Sequence, residues 1–331
     1  MRLVYLDDYG LAPATVSTAC EKPISIKDLE FKVPCGKCLL CLKKKRSDWS
    51  LRLEHEYLDS DSAFFITLTY NEEYIPRTED GIHTLYKKHI QNYIKRLRND
   101  HVKYVTKQLN IEKKHVKNYS KPIRYFAVGE YGSKTERPHY HILLFNYDIA
   151  NLAPIAAQWK NTNTGNSFGH VDIGTVNGSS INYVTKYMFK KFDRKTDVRE
   201  APFTLMSKKP IIGQNYIDTY GWYHLENEDL TTADMKGSIR RIPKAYLYRI
   251  FTKKDWVYDP KTKTDVLKTV KDTERIRQIS ERSFENYKDK KIQEFEKTID
   301  RNYNGQIDRF MRSIEDDYAR KVKSINKQET L

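Results

Sequence analysis

The stretch "IRYFAVGEYGSKTERPHYHILLF", residues 123–145, decides the architecture of this chain. Its two ends, "IRYFAVGEYG" (123–132) and "PHYHILLF" (138–145), are rich in β-branched and aromatic side chains and read as strands. The "YGSKTER" segment between them is short enough to close a hairpin. Side chains alternate between the two faces of a strand, so His139 and His141 point to the same side. Two desolvated imidazoles on one face need a reason, and both rings could reach a single metal ion. Pro138 precedes the pair and "ILLF" follows it, anchoring the ligands on a rigid core strand. Glu130, at the hairpin end of the neighbouring strand, is the candidate third ligand; an exposed carboxylate at a turn is the alternative. Two imidazoles and a carboxylate leave coordination positions open. That suits Mg²⁺ or Mn²⁺ holding a phosphate oxygen better than a closed structural zinc.

The elements around this hairpin complete an α+β pattern. "AFFITLTY" (63–70) and "HVDIG" (170–174) read as further strands. A helix is expected from Lys43 to Leu58, with Trp49, Leu53 and Tyr57 as its buried stripe. Another is expected over 86–100, with Ile90, Tyr93, Ile94 and Leu97 on one face; further helices are expected near 151–160 and 180–190. The order predicts a ferredoxin-like antiparallel sheet with helices packed on one face. Residues 1–34 read as irregular with extended pieces. From Trp256 onward, Lys, Glu, Asp and Arg with scattered Ile, Phe and Tyr predict one or two long amphipathic helices, broken near "DRNYNGQ" (300–306). The expected organisation is therefore a Cys-rich segment and helix over 1–60, a central domain over 61–250, and a charged helical extension over 251–331.

Lys and Arg total 59 against 44 Asp and Glu, a formal net charge of +15. Such an excess points to a polyanionic partner, nucleic acid first, although a basic chain can also be merely well solvated. The 24 tyrosines fit that reading, because aromatic rings near positive charge stack on unpaired bases. No apolar run approaches the roughly 20 residues that span a bilayer, and "MRLVYLDDYG" lacks the order of a secretory signal.

Cys35, Cys38 and Cys41 form C-x-x-C-x-x-C, fifteen residues after Cys20. This clustering is unlike a disulfide framework and points to a reducing cytoplasm. Four thiolates are the number a structural zinc needs; ordinary reduced thiols and an iron–sulfur cluster are the other readings. The run Lys43, Lys44, Lys45 and Arg46 follows directly, and with Arg137 it could lie on a DNA backbone. "NYVTKYMFKK" places Tyr183 and Tyr187 on one helix face, about 5–6 Å apart at Cβ. Half-buried helix tyrosines are the bland reading. Beside a metal site, a phenolate could attack a phosphodiester in line, leaving a phosphotyrosine and a free 3′-hydroxyl, with Lys186 stabilising the developing charge.

"FFITLTY", "GEYGSKTERPHYHILLF" and "YVTKYMFKK", in that order, resemble the three motifs of HUH endonucleases that initiate rolling-circle replication. Within them the chain most resembles the replication initiators of microviruses, small phages with circular single-stranded DNA. That resemblance also includes "CEKP…PCGKCLLC", "SDWSLRLEHE", "MSKKPIIGQNY" and "RRIPKAY", and so runs from Cys20 to Tyr246. Relatives often read Pro-Gly-Ile-Gly where this chain has "PIIG". The resemblance implies a metal-dependent nickase and strand transferase in the host-cell cytoplasm. His139 and His141 would bind the metal, and Tyr183 and Tyr187 would be the nucleophiles. Its partners would be single-stranded or locally melted origin DNA and a host helicase or polymerase. The competing readings are a non-catalytic zinc-containing DNA-binding or packaging protein, and a plasmid initiator or transposase with the same chemistry.

Overall fold

The computed structural model describes residues 20–25, 32–187, 197–260, 263–283 and 286. In chain order its elements are β1 (Ile24–Ser25), β2 (Lys32–Val33), α1 (Leu39–Asp59), β3 (Ala63–Leu68), α2 (Lys87–Leu109), β4 (Arg124–Tyr131) and β5 (Pro138–Phe145). There follow α3 (Ala153–Ala157), β6 (Val171–Thr175), α4 (Gly178–Tyr187), β7 (Phe203–Met206) and α5 (Gln214–Asn227). The last are β8 (Thr231–Ala233), β9 (Ile239–Arg241), α6 (Lys244–Ile250), β10 (Thr252–Asp259) and β11 (Thr264–Lys271). The chain divides into two compact units, Arg52–Tyr216 and the paired segments Met1–Leu51 and Ile217–Leu331.

The unit Arg52–Tyr216 holds an antiparallel sheet of order β6-β3-β5-β4-β7, so the expected α+β fold is present. The β4–β5 hairpin pairs Arg124 with Phe145 at one end and Tyr131 with Pro138 at the other, and the Gly132 N–H closes it on the Arg137 carbonyl at 3.0 Å. Register assigns the two faces. Ile66, Leu68, Tyr140, Ile142 and Leu144 share one, where they are buried with Ile90, Tyr93, Ile94 and Leu97 of α2. Each such side chain contributes about 1.5–3 kcal/mol on leaving water. The polar tips in this core are satisfied: Tyr93 donates to the Ile155 carbonyl and Trp159 Nε1 to the Thr69 carbonyl, both at 2.7 Å. Gly129 leaves room for the Phe203 ring, which would lie 2.9 Å from an added Cβ.

The other face carries Phe65, Thr67, Val128, Glu130, His139 and His141, and α4 lies against it. Helices therefore cover both faces, with α2 and α3 on one and α4 on the other. Asn177 caps α4: its Oδ1 accepts the Ser180 N–H at 2.9 Å, while the Ser180 hydroxyl accepts the Asn177 N–H at 2.8 Å. Residues 188–190 of the expected helix lie outside the described residues.

The "PIIG" turn is set by a buried ion pair. Arg124 binds Glu56 and donates to the Ile211 and Pro210 carbonyls at 2.7 and 3.0 Å. Glu56 Oε2 accepts the Gly213 N–H at 2.6 Å. Gly213 has φ +77°, so a glycine is required there, whereas Ile212, with its side chain fully buried, packs in the core. Helix α1 departs from a single buried stripe: Arg52, Glu54, His55 and Glu56 are all buried beside Leu51 and Leu53.

In the other unit, 252–271 is a β-hairpin where helix was expected. β10 and β11 pair from Thr252↔Lys271 to Asp259↔Thr264. Charge density conceals a period of two here. Val257 pairs with Val266 and Trp256 with Leu267, and β-branched and aromatic cross-strand pairs favour a ribbon. Residues 273–283 are helical. The expected break at 300–306 lies outside the described residues. No helix among the described residues is long and apolar enough to cross a membrane.

Candidate active site

Three adjacent strands and one helix bring the sequence-marked residues together. Glu130 pairs with His139 across the β4–β5 ladder, and Thr67 of β3 pairs with His141. Glu130 Oε1 lies 3.2 Å from His139 Nε2 and 3.1 Å from His141 Nε2. His139 Nδ1 is 3.1 Å from the Arg137 carbonyl, and His141 Nδ1 is 3.2 Å from Thr67 Oγ1. A carbonyl only accepts, so His139 Nδ1 carries a proton and its Nε2 faces Glu130. A proton on His141 Nδ1, donated to Thr67, turns the second Nε2 the same way. Such outer hydrogen bonds orient the imidazoles of metal sites.

The site is a poor structure for residues that merely pack. Glu130 is 2% exposed, yet its Oε2 has no hydrogen-bond partner. His141 Nε2 is likewise buried without one, because its approach to Oε1 lacks hydrogen-bond geometry. Leaving such atoms unsatisfied costs about 1–3 kcal/mol each. One donor atom from each of Glu130, His139 and His141 lies within 4.8 Å of the others, so the triad could hold a metal, and a cation would satisfy both orphaned atoms. Burial pushes the Glu130 carboxyl up, but the bonds and charges of the two histidines outweigh it and leave the group below its ordinary value.

α4 lays its tyrosines over this triad. The Tyr183 and Tyr187 rings are 4.8 Å apart and lie 5.0 and 6.0 Å from the His141 ring. Tyr183 is 41% exposed; Tyr187 is half-buried. Burial pushes the Tyr187 phenol well above its ordinary pKa, and its bond to Tyr183 and the Glu130 charge add to that. Lys186 is exposed and, among the described residues, bonds neither to the triad nor to either tyrosine. Arg137 donates to Glu72 at 2.9 and 3.2 Å and to the Tyr70 carbonyl at 3.0 Å; its guanidinium holds the Glu72 carboxyl low. Thr67 was not singled out in the sequence. The alternation of "FITLT" against "HYHIL" could have found it, since it sets Thr67 directly opposite His141.

The cysteines form a second cluster, within the other unit. The four sulfurs are free thiols lying within 4.8 Å of one another and could hold a zinc ion. Cys20 and Cys38 sulfurs are 3.9 Å apart. Tetrahedral zinc, with Zn–S of about 2.3 Å, requires about 3.8 Å between sulfurs. Cys35 Sγ accepts the N–H of Cys38 at 3.2 Å and of Lys37 at 3.4 Å, and Cys20 Sγ that of Cys35 at 3.1 Å. The Lys37 and Cys38 amides lower the Cys35 thiol to about 6, whereas burial raises Cys20 and Cys41. Lys43, Lys44, Lys45 and Arg46 occupy the next turn of α1, where Lys45 Nζ reaches the Gly36 carbonyl at 3.1 Å.

Known proteins carry the same arrangement of sequence. The profile of the Replication-associated protein ORF2 family matches residues 63–192, which span β3 through the tyrosine helix. The chain is similar to phage replication proteins. Replication-associated protein VP4 of Bdellovibrio phage phiMH2K is 29% identical over 209 residues, covering 60% of this chain and 62% of that one. Replication-associated protein ORF2 of Spiroplasma virus 4 is 29% identical over 236 residues, 68% of each chain. Replication-associated protein ORF4 of Chlamydia phage 1 is 28% identical over 179 residues, 50% of this chain and 40% of that one. The chain thus spans about two-fifths to two-thirds of the length of these curated relatives. No solved structure matches it. The resemblance to small-phage replication initiators, first carried by the ordered motifs, is borne out by these relatives.

Proposed function

We propose that this protein is a replication initiator that nicks one DNA strand at an origin through a tyrosine and later rejoins the ends of the single strand. The observation that carries the reading is the convergence of Glu130, His139 and His141 with Tyr183 and Tyr187 on one sheet face. Naming of the phage relatives as replication-associated proteins supports the biological setting.

In this reading the triad holds a divalent ion, Mg²⁺ or Mn²⁺, which would polarise a phosphate oxygen of the scissile diester. A tyrosine Oη attacks the phosphorus, the P–O3′ bond breaks, and the phenolic proton ends on the leaving 3′-oxygen. The 5′ end is then held as a phosphotyrosine and the 3′-hydroxyl is free. Because the phosphotyrosine conserves the diester energy, the reverse attack by a 3′-hydroxyl reseals a strand without another energy source. Two phenols 4.8 Å apart by ring centroid allow one to carry the first strand while the other attacks the second. Lys186, on the same helix, would neutralise charge on the transferring group. The four cysteines hold a structural zinc, and Lys43, Lys44, Lys45, Arg46 and Arg137 contact the DNA backbone. The substrate is unpaired or locally melted origin DNA in the host-cell cytoplasm, with a host helicase or polymerase extending the free end.

The test is direct. Single-stranded circular DNA is incubated with the protein and Mn²⁺, denatured, and examined for protein attached to a 5′ end. A metal-dependent adduct mapping to Tyr183 or Tyr187 is expected. Attachment that persists in the Tyr183→Phe/Tyr187→Phe protein would remove both residues from the mechanism.

A further inference from the structure

Far from the triad, at the other end of the same sheet, a groove of about 970 Å³ runs along the edge strand β7. Eight of its lining residues are Lys or Arg and none is Asp or Glu. Three come from the 3₁₀ segment Lys113–Asn118, namely Lys113, Lys114 and Lys117; Lys208 and Lys209 follow β7 on the opposite wall. Arg98 of α2 lies over the Tyr125 ring, 5.5 Å from its centroid, and donates to the Ile123 carbonyl and to Ser207. Lys114 pairs with Glu112 at 2.9 Å and Lys121 with Asp61 at 3.0 Å. Lys113, Lys117 and Lys208 are exposed and form no ion pair among the described residues. A concave surface lined by one sign of charge focuses its field and concentrates polyanions.

We infer that this groove binds DNA backbone phosphates flanking the cleavage site, a binding surface separate from the metal triad. The inference rests on the proposed nicking function for its choice of polyanion. The edge position favours this occupant. An exposed edge strand invites pairing with another protein strand, and lysines along it oppose that while attracting phosphate. Length also fits. Tyr125 in the groove and Glu130 in the triad are five residues apart on β4, about 17 Å at the rise of an extended strand. That span is roughly half a helical turn of B-DNA, so one bound segment can reach both.

The test compares the full-length wild type with the Lys113→Gln/Lys117→Gln/Lys208→Gln triple variant and the matching Lys→Arg variant. Binding to a labelled single strand and to its duplex is measured as a function of KCl concentration. Loss of three phosphate contacts is expected to lower the slope of log K against log salt by about 2 on single strands and about 3 on duplex. The Lys→Arg variant is expected to keep the wild-type slope. A shallower slope on one DNA form alone names that form as the occupant. Equal slopes for wild type and Gln variant on both forms would overturn the inference, as would the same loss in the Arg variant. Covalent attachment to a short, saturating substrate is measured in parallel. Failure of the wild type to form an adduct would sink the nicking reading and leave the slope comparison standing on its own.

Discussion

The Tyr183 ring stands edge-on to the imidazole of His141, with 5.0 Å between centroids and 87° between planes, whereas Tyr187 lies nearly parallel to that imidazole at 6.0 Å. The two phenols are thus unequal before any substrate binds. Tyr183 is the more exposed, and Tyr187 is held protonated by burial, by its bond to Tyr183 and by Glu130. Tyr183 is expected to make the first attack. Tyr183→Phe should cut first-strand adduct formation on the order of 10²-fold or more, while Tyr187→Phe should retain the first adduct and lose strand exchange. Single-turnover adduct assays separate the two, and the opposite pattern would reverse the order.

Thr67 touches the metal site only through His141 Nδ1, at 3.2 Å. Thr67→Val keeps the shape and removes the hydroxyl. Affinity for Mn²⁺ should fall by about 10–100-fold, with Thr67→Ser restoring it. Calorimetric titration reads this without any DNA. An unchanged affinity in the valine variant would show that the hydroxyl does not orient the ring.

The Arg124–Glu56 pair is buried and also carries the Gly213 N–H and two carbonyls of the "PIIG" turn. Glu56→Ala strands a guanidinium in the interior. A loss of about 3–5 kcal/mol in urea unfolding is expected, larger than for any surface carboxylate in this chain. Replacing both partners with apolar residues should recover part of it.

Amides of Lys37 and Cys38 lower the Cys35 thiol to about 6, while burial raises Cys20 and Cys41. A thiol is the reactive species only as thiolate. In metal-free protein, alkylation of Cys35 should therefore rise through pH 6 and level off by neutral pH, well before the other two react. Zinc should protect all four cysteines, and mass spectrometry of the alkylated peptides counts them. Uniform reactivity across pH 5–8 would refute the assignment.

Local chemistry made much of this protein legible. Period-two alternation in "PHYHILLF" sets His139 and His141 on one face, and the short turn brings Glu130 opposite His139; both follow from backbone geometry over a few residues. The spacing of Ile90, Tyr93, Ile94 and Leu97 marks the buried side of α2 in the same way. At 252–271 the same kind of reading failed, because lysines and aspartates at most exposed positions masked the alternation of Val257, Val266 and Val270.

What the sequence determined by itself is whatever neighbours along the chain decide: strand faces, helix stripes, the hairpin, and the four-cysteine spacing. Only the tertiary structure decided which sheet face α4 covers, that Thr67 would orient His141, and that lysines from 113–117 and 208 would meet across one groove. The contact between Thr67 and His141 joins residues 74 positions apart. Such meetings depend on which layers pack together to bury apolar area, and that free energy belongs to the assembled sheet and helices rather than to any local segment.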